Sequence, residues 1–112
     1  MKPEQFIREQ GLDAVKDCIE EAKAYGGLYV NAKTLELSKH IPSYDAVSII
    51  ELMRLVESLD IITKVGGIHD VIEEHTKWMH APELHEYRIG ETVERLAQAI
   101  RDHESIYGGG GE

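Results

Sequence analysis

The most constraining stretch of this chain lies between Pro42 and the Gly66-Gly67 pair, where apolar side chains recur at helical spacing in two overlapping stripes. Ile49, Leu52 or Met53, Val56 and Leu59 form one stripe; Leu52, Leu55, Leu59 and Ile62 form the other. The resulting apolar arc is wider than a coiled-coil seam requires. It predicts a helix from Tyr44 to about Val65, capped by Ser43, with Asp45 in its first turn and Gly66-Gly67 as its stop. A helix this apolar must be covered over most of its girth, so it is either central to a core or shared with a partner.

The flanking segments read as shorter helices. Pro3 and Glu4 suit a first helical turn, because proline has no N–H to lose there and a carboxylate faces the positive end of the helix dipole. After Gly11, Leu12, Val15, Ile19 and Ala22 form an amphipathic stripe with Cys18 at its border, and Gly26-Gly27 ends it. Between Gly27 and Pro42 the period shortens. Leu28-Tyr29-Val30 and the alternating Thr34 to Ser38 predict a short β-hairpin near residues 28–38, turning through Asn31-Ala32-Lys33, with a helical or loop course for Thr34 to His40 as the alternative. Beyond Gly67, the residues Ile68, Val71, Ile72, His75, Trp78 and Met79 trace a helical face as far as Ala81. Pro82 starts a last helical segment carrying Leu84, Tyr87, Val93, Leu96, Ala97, Ile100 and Ile106 or Tyr107, with a break near Ile89-Gly90. The fold expected is a mostly α small helical bundle, one domain over residues 1–107, followed by a glycine tail from Gly108 to Glu112. Gly11-Leu12-x-x-Val15 and Gly67-Ile68-x-x-Val71 share a helix entry, which is too little for a structural repeat.

Composition narrows the function classes. The chain has 112 residues, 42% hydrophobic and 29% charged, which suits one soluble globular domain. No apolar run is long enough for a membrane helix. Met1-Lys2-Pro3-Glu4 lacks the basic-then-apolar pattern of a secretory signal, so a cytoplasmic location is expected. The single cysteine, Cys18, has no second thiol for a disulfide or zinc pair and is assigned to the core. With 12 Lys and Arg against 21 Asp and Glu, the net charge of −9 disfavours nucleic acid as a partner.

Catalytic and metal constellations are weak. His69, His75, His80 and His85 crowd one segment with Asp70, Glu73, Glu74, Glu83 and Glu86, but the histidines are five or six residues apart. Two ligands on one helical face need three or four. The Glu20-Glu21 and Glu73-Glu74 pairs diverge around their helices and read as solvated. No nucleophile elbow or phosphate-binding glycine motif is present. No catalytic residue, metal or cofactor is assigned, and the chain is expected not to be an enzyme.

A DNA-binding module and a DNA mimic are the readings that compete with an ordinary protein-binding module. A winged helix-turn-helix would use Leu35 to His40 as its first helix, Val47 to Leu59 for recognition and Ile61 to Gly67 as a wing. Its recognition helix would carry Glu51 and Glu57 with only Arg54 to reach phosphates. A DNA mimic would segregate its charges, whereas pairs such as Lys16-Asp17 and Glu94-Arg95 interleave them. Protein binding fits better. The aromatic residues Tyr25, Tyr29, Tyr44, Tyr87, Tyr107 and Trp78 are interface types, and Tyr44, Met53, Trp78 and Tyr87 are the expected partner contacts.

The string Leu55-Val56-Glu57-Ser58-Leu59 running on to Val65-Gly66-Gly67-Ile68, with the ending Ile100-Arg101-Asp102-His103-Glu104-Ser105-Ile106-Tyr107-Gly108-Gly109, resembles small accessory proteins encoded in the early regions of temperate phages and prophages of enteric bacteria. The likeness covers the central helix and the C-terminal third. It implies stoichiometric binding and modulation or inhibition of a host or defence protein in the bacterial cytoplasm, and it transfers no site residues. A homodimer is the other association this reading allows, and a DNA-binding regulator is the alternative function.

Overall fold

The structure, a computed structural model, describes residues 1–40, 46–80 and 92–108. The chain divides, within the longest of the described helices, into two compact units, residues 1–56 and 57–112. The described residues are mostly helical, with one small antiparallel sheet.

The first unit opens with α1 (Pro3–Gln10), which buries Phe6 and Ile7, and α2 (Leu12–Tyr25), which buries Val15, Cys18, Ile19 and Ala22. The two helices pack on each other, and α1 also meets the sheet. As the spacing predicts, Gly26 stops α2. It sits in the left-handed region, at φ 77° and ψ 23°, and both Gly26 and Gly27 donate their N–H to the Ala22 carbonyl, at 2.7 and 3.0 Å. That pairing satisfies helix-end carbonyl capacity with a backbone shape glycine adopts without strain.

The expected hairpin is present. Strands β1 (Tyr29–Asn31) and β2 (Leu37–Ser38) run antiparallel, with Tyr29 opposite Ser38 and Val30 opposite Leu37. Its turn is organised by Asn31, whose side-chain oxygen accepts from the N–H groups of Lys33 and Thr34 at 2.8 and 3.0 Å. This is the local side-chain-to-backbone bonding that favours asparagine in turns. Leu35 closes the turn at φ 64°. Of the Thr34 to Ser38 run, only Leu37 and Ser38 belong to the strand.

A third strand corrects the start of the central helix. Ala46–Ser48 forms β3, pairing antiparallel with the other side of β1 to give the order β2-β1-β3, and the helix α3 (Ile49–Val65) begins only at Ile49. Val47 lies opposite Val30 and both are fully buried, so pairing and burial outweigh the helical pattern at these three residues. The side chain that caps α3 is Ser48, whose Oγ accepts from the Glu51 N–H at 3.3 Å. Ser43, Tyr44 and Asp45 lie outside the described residues.

The second unit contains the rest of α3, then α4 (Ile68–His80), α5 (Val93–His103) and a π-helical turn (Glu104–Gly108). Its core gathers Ile62, Val71, Leu96 and Ala99, with Ile61, Val65, Ile68 and Ile100 packed around them. Gly66 and Gly67 separate α3 from α4 at φ 127° and 119°, both donating to the Ile62 carbonyl. The φ of Gly66 is what requires glycine there; a β-carbon would also meet the exposed Asp70 carboxylate, which could turn aside. The helix α5 is capped by Thr92, whose Oγ1 accepts from the Arg95 N–H at 3.1 Å. The expected break near Ile89-Gly90, the residues Ala81 and Pro82, and the tail from Gly109 onward lie outside the described residues, while Gly108 ends the π-helical turn.

The face read along α4 is split. Val71 and Trp78 are buried, but Ile72 and Met79 are exposed. The winged helix-turn-helix arrangement is not the one adopted either. Residues 35–40 hold the end of a turn and β2 where a first helix was required, and Ile61 to Val65 is helical where a wing was required. Among the described residues, no helix is long and apolar enough to cross a membrane.

Candidate functional site

The four expected contact residues do not form a described cluster. Tyr44 and Tyr87 lie outside the described residues, Met53 is partly buried on α3, and Trp78 is buried on α4. The Trp78 indole N–H has no hydrogen-bond partner among the described residues. The wide apolar arc of α3, which could be central to a core or shared with a partner, is largely covered. Ile49, Leu52, Leu55, Val56, Leu59 and Ile62 are all buried, and Ile50 is the strongly exposed apolar residue of that helix.

Ile50 is instead part of a different grouping, at the end of the sheet where β1 begins and β3 ends. The Leu28 carbonyl accepts from the Ile49 N–H at 3.0 Å, and the Leu28 N–H donates to the Ser38 carbonyl at 2.8 Å. This fixes Leu28 between Ser38 and Ile49 and brings it beside the first turn of α3. Three large apolar side chains on these successive elements are exposed, Tyr25 at 75%, Ile50 at 69% and Leu28 at 47%. Tyr25 is the last residue of α2, joined to Leu28 through the two glycines that end the helix. Met53 stands one helical turn beyond Ile50 on α3, so one of the expected contacts adjoins this surface.

Each member is placed by local physics. Ile49 and Ile50 are adjacent on a helix and point about 100° apart, so burying Ile49 at 3% leaves Ile50 outward. The left-handed Gly26 turns the chain away from α2 directly after Tyr25. Charge does not dominate here. The first unit carries seven Lys and Arg against nine Asp and Glu, whereas the second carries five against twelve. The acidity of the chain is thus concentrated in the second unit.

The second unit holds the other notable constellation, a buried polar cluster. Ser58 on α3 is fully closed to solvent, and its hydroxyl donates to Asp102 Oδ2 on α5. Arg95 Nη1 donates to Ser58 Oγ at 3.1 Å, and Gln98 Nε2 donates to Asp102 Oδ1 at 2.8 Å. Serine beside a carboxylate resembles part of a nucleophilic site. A substrate must reach the hydroxyl, however, and here neither Ser58 nor Asp102 is accessible. The cluster binds α3 to α5 and satisfies its own polar atoms, which is a structural role.

Cys18 is equally closed to chemistry. Burial, with Glu21 and Asp17 adding to it, pushes its thiol pKa up, which keeps it in the unreactive protonated form at neutral pH. Among the described residues, no three His, Cys, Asp or Glu side chains converge to hold a metal ion. His85 lies outside them.

Tyr25 is one of the interface-type residues legible in the sequence, whereas Leu28 and Ile50 are not among the expected contacts. The signal for Ile50 was present in the consecutive Ile49-Ile50, since two neighbours on a helix cannot both face a core on one side. Leu28 carried no such signal: it precedes β1 by one residue, and strand alternation would place it on the side of the buried Val30. Comparison with protein families, with characterised proteins and with solved structures returns no match.

Proposed function

We propose that this chain is a non-enzymatic accessory protein that binds another protein and modulates it, using the surface formed by Tyr25, Leu28 and Ile50. The observation that carries the reading is the exposure of these three large apolar side chains in the first unit, with Leu28 held by its backbone against the start of the helix that carries Ile50. Large apolar side chains left in water gain free energy when a partner covers them, and a tyrosine brings a rigid anchor with a polar tip. The near balance of charge in the first unit leaves apolar contact as the main attraction.

The partner to seek first is a host or defence protein of an enteric bacterium, acting in the cytoplasm, because the chain resembles phage accessory proteins. No cofactor is required by this mode of action. Affinity capture from such a lysate, with nuclease treatment in parallel, tests the proposal when wild type is compared with Ile50→Lys. The reading requires a dominant protein that survives nuclease and is lost with the variant. A partner that the variant retains would remove this surface from the account, and capture that disappears with nuclease would favour a nucleic-acid regulator.

A further inference from the structure

We draw no further inference here: the strongest candidate, the exposed Ile72 and Met79 along α4, is an unpartnered apolar face, and nothing in the structure shows what covers it.

Discussion

The Ser58 hydroxyl donates to the Asp102 carboxylate at 2.5 Å, from α3 to α5, and both side chains are closed to solvent. A buried hydrogen bond contributes modestly when made and costs more when one partner is stranded. Ser58→Ala takes a donor from Asp102 and an acceptor from Arg95, and should destabilise the fold by about 1–3 kcal/mol. Asp102→Ala strands Ser58 and Gln98 together and should cost more. Urea denaturation of both single variants and the double variant should give a coupling of about 0.5–3 kcal/mol. Strictly additive losses would show that the two groups act independently.

Gly66 is held to glycine chiefly by its φ of 127°, with the exposed Asp70 carboxylate a lesser obstacle where a β-carbon would stand. Gly66→Ala should therefore lower the denaturation midpoint. Adding Asp70→Ala should recover only part of the loss, because the side chain is cleared while the backbone strain remains. Full recovery would mean that the φ value costs nothing here.

Alkaline stability should depend on Cys18. Its thiol is pushed above the ordinary value of 9.0, first by burial and then by Glu21 and Asp17. The folded chain consequently keeps a proton that the unfolded chain releases once the pH passes about 9. Stability falls as pH rises from there through the folded value, since the unfolded state binds fewer protons. In matched denaturation series, Cys18→Ala should lose less stability than wild type over that range. Parallel curves below and above it would contradict the assignment.

The helix cap at Ser48 is tested by Ser48→Ala, which removes the acceptor for the Glu51 N–H and should cost about 1 kcal/mol. Unchanged thermal unfolding would place the effective cap elsewhere.

Binding through the Tyr25, Leu28 and Ile50 surface should be insensitive to salt, because apolar burial is not screened as surface charge is. Tyr25→Ser and Ile50→Lys should each weaken binding at least tenfold. Stability should stay within about 0.5 kcal/mol of wild type, as expected for exposed positions. Titration of the captured partner at low and raised sodium chloride, beside thermal melts of the variants, separates lost contact from lost fold.

Much of this fold was legible because its signals are local. The stripe Val15, Ile19, Ala22 and the Gly26 and Gly66 stops depend on spacing and on backbone conformations that glycine favours, and both survive in the structure. The start of α3 was misread because Ser43 and Asp45 offered a cap and a first turn, while the strand at Ala46 to Ser48 is imposed by Tyr29 to Asn31, more than a dozen residues earlier. The split face of α4 was hidden for a related reason. An apolar period shows which residues share a side, but the packing of α5 against that helix decides how much of the side is covered. The site was less legible than the fold. Trp78 has the composition of an anchor and the burial of a core residue, and of the two expected contacts among the described residues Met53 is the one near Ile50.

The most direct test of the central claim is site-specific photo-crosslinking in bacterial cells, with the reactive side chain placed at Ile50 and, as a control, at Glu9, an exposed position on α1. The account predicts one dominant protein adduct from position 50 that is absent from position 9. Adducts equal from both positions, or none from position 50, would contradict it.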